Sequence, residues 1–424
     1  MEPAGFQLKN YPCFTAVIEM FDTLYSAPKI LQLSKNPRGW SVYEIGYKEA
    51  NVFERENEQL FWDKSTGSYI PLNYGPKNEG LSLFEMENSL WWYEEKFNHH
   101  YYFGYKEADK DTINELSGKQ ALNYSELEGL ALACASYARS FVETEFNFYY
   151  REGESILLWD ERVSEEKINN YISFIDKSIE AYNQLNKHNP TYKPLEWYLS
   201  ATIGHLHINT FLCLCEWGYS EKAKRYVVPG LYGSSYLNKA SEYLDSIPDN
   251  SIVFSTDRNL SFQLIYLQQA EKIKPAVTII DYTLLEHATY IKMLRNGTDG
   301  YPAIPMKLAP SVLANSINNY TLIETGIESD ISTVEEFLNG LNKSAPDNGE
   351  LVIAVEKGVL KLDSIEFEIT ESINRPDIVM LDIVFSNNWE RPVCFMEADY
   401  GFNFNRYIKK TGMWQLLDPV ENRG

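Results

Sequence analysis

One stretch, residues 251–295, constrains the fold more than any other. It reads SIVFSTDRNLSFQLIYLQQAEKIKPAVTIIDYTLLEHATYIKMLR. An apolar run at 252–254 ends in a polar cluster, Ser255-Thr256-Asp257-Arg258-Asn259. An amphipathic stretch at 260–273 follows, then a second apolar run at 277–280 that ends in Asp281. The order is strand, helix, strand, helix, and strands alternating with helical patterns imply a parallel sheet. Ligands in such sheets sit beyond the carboxyl ends of the strands. Thr256, Asp257, Arg258, Asn259 and Asp281, with His287 just after, are therefore the candidate ligand-binding residues. The turn precedes a helix, whose first amides favour an anion, and Arg258 adds positive charge there.

The rest of the chain is read around that unit. Its 424 residues are enough for two or three domains. With 44% hydrophobic and 23% charged residues it can bury a sizeable core. A net charge of −22 argues against sequence-independent nucleic-acid binding and against an anionic membrane surface. The five cysteines, an odd number in mostly apolar surroundings, fit free thiols in a reducing compartment. No secretory signal and no membrane-length apolar run is visible, so a cytoplasmic protein is expected.

Residues 1–120 read as a mixed α/β region. Leu60-Phe61-Trp62 and Ser68–Leu72 flank a turn ending in Gly67 and predict a β-hairpin. The aromatic cluster Trp91-Trp92-Tyr93 reads as core filling ahead of a sugar-stacking platform. Residues 121–247 read as helical. One helix opens near residue 124, with Ser125 as its expected N-cap, and a second runs over 163–186 with Ser164 as cap. A third runs to Trp217 and stops at Gly218. KSIEAYNQLNKHNP at 177–190 and YLNKASEYL at 236–244 resemble second helices of tetratricopeptide repeats. Residues 248–424 read as a Rossmann-like α/β domain with a mostly parallel sheet, including strands at 351–355, 359–362 and 392–396 and a helix at 377–387.

Three stretches carry a resemblance to a large bacterial family. They are residues 251–268, residues 281–290, and Asn387-Asn388-Trp389-Glu390-Arg391-Pro392. The family's soluble region is joined in some members to a membrane domain like those of protein O-mannosyltransferases, and in others to tetratricopeptide-like helices. The resemblance implies a fold and no particular reaction. The family's usual Gly-Asp-Asn-Asp-Thr turn is here Asp257-Arg258-Asn259-Leu260-Ser261. Both acidic positions have changed, so any paired-carboxylate or divalent-cation role of that turn is expected to be lost. An Arg258–Asp281 ion pair across neighbouring strand ends is the expected replacement.

His205-x-His207 and Cys213-x-Cys215 are the most metal-like grouping. Residues two apart on a helix point away from each other, so no metal site is expected from either pair. No phosphate-cradling glycine loop, nucleophile elbow or zinc-protease motif appears, and no cofactor is expected. Trp389 and Arg391 read as a structural corner, with the guanidinium on loop carbonyls. The leading expectation is a protein-interaction or scaffold protein. Its helical half would hold an unidentified protein partner, and its α/β domain would have lost the family's acidic turn. The second expectation is an enzyme or ligand-binding protein for a phosphorylated or glycosyl substrate at the strand ends.

Overall fold

The computed structural model describes residues 29–36, 39–48, 52–63, 68–71, 77–81, 100–103, 108–142, 163–192, 199–298, 301–314, 320–324, 331–343, 351–355, 358–369, 372–396 and 402–419. Trp91-Trp92-Tyr93 and the turn of the expected hairpin lie outside them. Contacts divide the chain into two compact units. One is residues 1–142 with 166–199, and the other is residues 143–165 with 200–424. The helices of residues 121–247 are shared between the two.

Among the described residues the first unit begins with six strands: β1 (Lys29–Asn36), β2 (Gly39–Lys48), β3 (Val52–Asp63), β4 (Ser68–Pro71), β5 (Lys77–Leu81) and β6 (His100–Phe103). They lie in the order β4-β3-β2-β1-β6, with β5 also on β3. The hairpin expected at 60–72 is present as the antiparallel pair β3–β4, with Phe61 opposite Ile70 and Trp62 opposite Tyr69. Three helices follow, α1 (Ala108–Ser117), α2 (Tyr124–Arg139) and α3 (Glu165–His188). The N-cap of α2 is Asn123, not Ser125. Asn123 Oδ1 accepts the Glu126 amide at 2.9 Å, and Glu126 Oε2 accepts the Asn123 amide at 2.8 Å. This reciprocal box satisfies two otherwise orphaned donors, which fixes the helix start. Along α3 the buried residues Ile168, Tyr171, Ile175, Ser178, Tyr182 and Leu185 recur at helical spacing. They face α2, where Ser178 Oγ donates to the Ala131 carbonyl at 2.6 Å and Phe174 meets Tyr137 edge-on at 4.7 Å.

The second unit holds α4 (Leu199–Glu216), the short α5 (Ser220–Ala223) and α6 (Ser234–Ser246) ahead of its sheet. Gly218, at φ +80°, ends α4. It turns the chain so that the Gly218 and Tyr219 amides reach the Cys215 and Leu214 carbonyls. Within α4, Gly204 lets the Tyr232 ring lie against the helix backbone, and a Cβ there would come within 2.4 Å of that ring.

The unit that organises the sequence then appears as β7 (Ile252–Ser255), α7 (Arg258–Gln269), β8 (Thr278–Asp281) and α8 (Ala288–Asn296). Next come α9 (Pro310–Ala314), β9 (Tyr320–Glu324), α10 (Val334–Lys343), β10 (Leu351–Ala354), β11 (Val359–Leu362), β12 (Ile365–Ile369) and β13 (Ser372–Asn374). The last elements are α11 (Arg375–Ser386), β14 (Val393–Met396), β15 (Phe402–Asn403), β16 (Ile408–Thr411) and β17 (Trp414–Leu417).

The principal sheet has the order β16-β17-β14-β7-β8. β14, β7 and β8 are parallel, and β17 and β16 extend the sheet antiparallel. The sheet is thus mixed where a mostly parallel one was expected. The extra antiparallel strands close as a hairpin around Gly412, which needs no crossover helix. β7 and β8 are buried at every position, as strands covered on both faces should be. Phe254 of β7 stacks on Phe395 of β14 at 5.4 Å. Two smaller sheets, β10-β9-β13 and β11-β12-β15, complete the unit. Among the described residues no helix is long and apolar enough to cross a membrane.

A corner at the opposite, amino ends of the strands holds the sheet together. Arg391 Nε donates to the Asn250 carbonyl at 2.8 Å, and Nη2 reaches the Ser251 and Ala276 carbonyls and Thr278 Oγ1. Trp389 Nε1 donates to Asp363 Oδ2 at 2.7 Å. One planar guanidinium therefore ties the starts of β7 and β8 to the segment that leads into β14.

Candidate functional site at the strand ends

The carboxyl ends of β7 and β8 bring Asp257, Arg258 and Asp281 to one place. Asp257 is the N-cap of α7. Its Oδ1 accepts the amides of Asn259 and Leu260 at 2.9 and 3.2 Å. Its backbone φ of −89° is ordinary extended geometry, so the turn needs no glycine. The turn's remaining carboxylate is thus committed to its own helix. Thr256 and Asn259 are half-buried beside it.

Asp281 is fully buried at the end of β8. Its Oδ1 accepts both the amide and the hydroxyl of Thr283, at 2.9 and 2.6 Å. Its own amide donates to Tyr290 Oη at 3.1 Å. Its Oδ2 is buried and, among the described residues, has no hydrogen-bond donor. Arg258 Nε approaches that oxygen at 3.8 Å, an ion pair too long to be a hydrogen bond. Arg258 Nη2 donates to Thr283 Oγ1 at 2.9 Å, and 49% of the Arg258 side chain stays exposed. The two strand ends are therefore linked by a short relay, Arg258 to Thr283 to Asp281.

Three further residues, not among those read from the sequence, stand near Arg258 or His287. Glu216 is the last residue of α4, and its Oε2 accepts the Thr289 hydroxyl at 3.0 Å. Burial pushes its carboxyl up to about 7, with the Asp281 charge adding to the rise, against the Thr289 hydrogen bond and Arg258. A carboxylate at a helix C-terminus also faces the negative end of the helix dipole. Arg375 opens α11 almost fully buried, and its Nη1 donates to the Glu286 carbonyl at 3.2 Å. Thr283 is the third. The 3₁₀ turn Tyr282–Glu286 is anchored to the start of α11 by the bond from Tyr282 Oη to Asp377. That anchor brings Arg375 close enough to act on His287.

His287 caps no helix with its side chain and is exposed. Yet crowding by the protein, then Arg258 and Arg375, push its imidazole down to about 4. Glu216 likewise retains partial solvent contact while crowding dominates its protonation. Glu216 and His287 thus both lie within the electrostatic reach of Arg258, beside the buried Asp281.

The His and Cys pairs of α4 do other work. His207 Nδ1 pairs with the Tyr226 carbonyl at 3.0 Å, and His205 packs among Tyr232, Tyr236 and Phe262. Cys215 is buried and Cys213 half-buried, and neither is in a disulfide. Among the described residues no group of three or more His, Cys, Asp or Glu is placed to hold a metal ion.

Residues 237–358 match the model of TMEM260-associated domain 2. The match supports a TMEM260-related family for that stretch. It spans β7, α7, β8 and α8, hence Asp257, Arg258, Asp281 and His287. Glu216, Arg375 and β14 lie outside the part that resembles TMEM260-associated domain 2. Comparisons with curated proteins and with solved structures found no match.

Proposed function

We propose that the unit of residues 200–424 is a Rossmann-like ligand-binding module, and that the carboxyl ends of its strands take a small phosphorylated or glycosyl compound. One observation carries this reading. A half-exposed guanidinium, Arg258, lies beside a buried carboxylate oxygen, Asp281 Oδ2, that has no hydrogen-bond donor. A buried acceptor without a donor costs about 1–3 kcal/mol, and such groups in native proteins generally have a partner. A bound ligand supplies one. Catalysis through residues 256–259 is not part of the proposal, because Asp257 is committed to capping α7.

The partner-binding role expected of tetratricopeptide-like helices draws less support. Among the described residues the exposed large hydrophobics are Tyr124 and Val228, too few and too scattered to form an apolar docking face. Thermal-shift measurements with nucleotides, sugar phosphates and free sugars test the ligand-binding reading. A stabilisation by at least one class that Arg258→Ala removes is the expected result. No shift with any of them, with a protein captured by the helical segment instead, would return the interaction reading to first place.

A further inference from the structure

Resting on the ligand-binding reading, we infer that Thr283 is a positioning residue. It holds the Arg258 guanidinium by one edge and so presents the other edge to an oxyanion, which makes the ligand a phosphate monoester and not a neutral sugar. The contacts that carry this are short and directional. The Thr283 hydroxyl donates to Asp281 Oδ1 at 2.6 Å and accepts from Arg258 Nη2 at 2.9 Å. A carboxylate only accepts and a guanidinium only donates, so a hydroxyl can join the two in one chain. Its single proton goes to Asp281, which leaves its lone pairs for Arg258.

Arg258 Nε shares an edge of the guanidinium with Nη2 and faces Asp281 Oδ2 at 3.8 Å. Both contacts are therefore made from that one edge. Among the described residues Nη1 makes no hydrogen bond or ion pair, and the side chain is half exposed. The end-on fork of Nη1 and Nη2 is thus turned away from the protein's own carboxylate. Thr283 is itself held in place. Its amide donates to Asp281 Oδ1 at 2.9 Å. Its 3₁₀ turn is pinned to the start of α11 at both ends, by Tyr282 Oη on Asp377 and by Arg375 Nη1 on the Glu286 carbonyl. Asp377 in turn closes the capping box of α11 with Asn374. An exposed arginine gives up rotamer freedom when it grips an anion, and here part of that ordering is completed on folding.

The free edge decides the ligand's chemistry. Two parallel N–H groups match two oxygens of a phosphate or a carboxylate, whereas a sugar hydroxyl offers one uncharged oxygen. Arg258 is also the first residue of α7, whose positive end draws a doubly charged phosphate more strongly than a singly charged carboxylate. The nearby acids are turned elsewhere. Asp281 lies behind the guanidinium with Oδ1 on the two Thr283 donors, and Asp257 Oδ1 is on the Asn259 and Leu260 amides.

Isothermal titration of the full chain with methyl phosphate, acetate and methyl glucoside tests the assignment. Methyl phosphate is expected to bind the most tightly of the three. Thr283→Val keeps the side chain's shape and removes the hydroxyl, and should weaken methyl phosphate about fivefold, the scale of ordering one long side chain. Thr283→Ser should restore the affinity. Arg258→Lys keeps the charge without the fork and should weaken methyl phosphate at least as much as Thr283→Val does. Undiminished binding by a folded Thr283→Val variant, or failure of Thr283→Ser to restore it, would overturn the positioning role and leave the ligand-binding reading standing. Undiminished binding by Arg258→Lys would overturn the fork. Acetate or methyl glucoside binding as tightly as methyl phosphate would overturn the phosphate assignment alone. No binding of any of the three probes would overturn both readings.

Discussion

Arg258 Nε stands 3.8 Å from Asp281 Oδ2 while the other oxygen of the same carboxylate holds the amide and hydroxyl of Thr283. The carboxylate is therefore part of the turn after β8 as well as of the ion pair with Arg258. Asp281→Ala removes the acceptor of a part-buried amide and takes the counter-charge from Arg258. The expected loss is about 2–4 kcal/mol in urea unfolding, the scale for breaking a buried, hydrogen-bonded charge. Asp281→Asn keeps an oxygen for Thr283 and should lose less. A loss under about 0.5 kcal/mol for the Ala variant, the range of neutral surface changes, would contradict this role.

Glu216 gives the fold a pH dependence. Its folded pKa is raised to about 7 from an ordinary 4.5, so the folded chain holds this proton where the unfolded chain has released it. The associated stability is fully present below pH 4.5 and is lost as pH rises through 7. One pKa unit corresponds to about 1.4 kcal/mol, and the partial exposure of Glu216 reduces the effect to roughly 1–2 kcal/mol overall. Glu216→Gln lacks this proton. Its stability relative to the unaltered chain should rise by that amount between pH 5 and about pH 8, as unfolding curves at several pH values would show. A constant difference across the range would exclude the shift.

Gly204 sets the approach of Tyr232 to α4. A Cβ at residue 204 would lie 2.4 Å from the Tyr232 ring, with Cδ1 of that ring at 2.7 Å. Gly204→Ala should therefore destabilise despite the better helix propensity of Ala, by about 1–3 kcal/mol from overpacking. Adding Tyr232→Leu should recover part of the loss, and the double-mutant cycle should show coupling above about 0.5 kcal/mol. Additive effects would mean that the ring moves aside without cost.

Arg391 joins four acceptors, of which three are backbone carbonyls at the starts of β7 and β8. Arg391→Ala leaves several of these without a protein donor and should cost about 2–4 kcal/mol. Arg391→Lys restores charge but not the planar fork, so it should recover less than half of the loss. Full recovery by Lys would show that charge alone matters at this corner.

Much of the principal sheet could be read from residues alone because β7 and β8 are continuous apolar runs stopped by polar residues. Their ends fell within a residue or two of the reading, and the helix expected at 377–387 is present as α11. The sheet's neighbours were less legible. Nothing local says that Val393–Met396 lies beside Ile252–Ser255, or that the last two strands turn antiparallel. At the site, Asp257, Arg258 and Asp281 were legible because they lie where strands end. Glu216 and Arg375 were not, because they reach the same place from distant elements. One signal was present. Glu216 is the lone charge at the end of the apolar helix Leu199–Glu216, where neither solvent exposure nor the helix dipole favours a carboxylate. Asn123 caps α2 in place of Ser125 because Glu126, three residues after it, completes the capping box.

The pairing of β14 with β7 has a consequence for how the chain reaches its native state. Ile252 lies opposite Val393, so these partners are 393 − 252 = 141 residues apart in sequence. During synthesis β7 and β8 emerge long before the strand that completes their sheet. Closing a loop of that length carries a large entropic cost, and parallel pairing over such a separation is slow. Until β14 arrives, one edge of β7 exposes unpaired backbone groups on a largely apolar strand, the kind of edge that invites aggregation. The segment matched by the family model ends at residue 358 and so stops short of β14. Expressed alone, it would keep that edge open permanently.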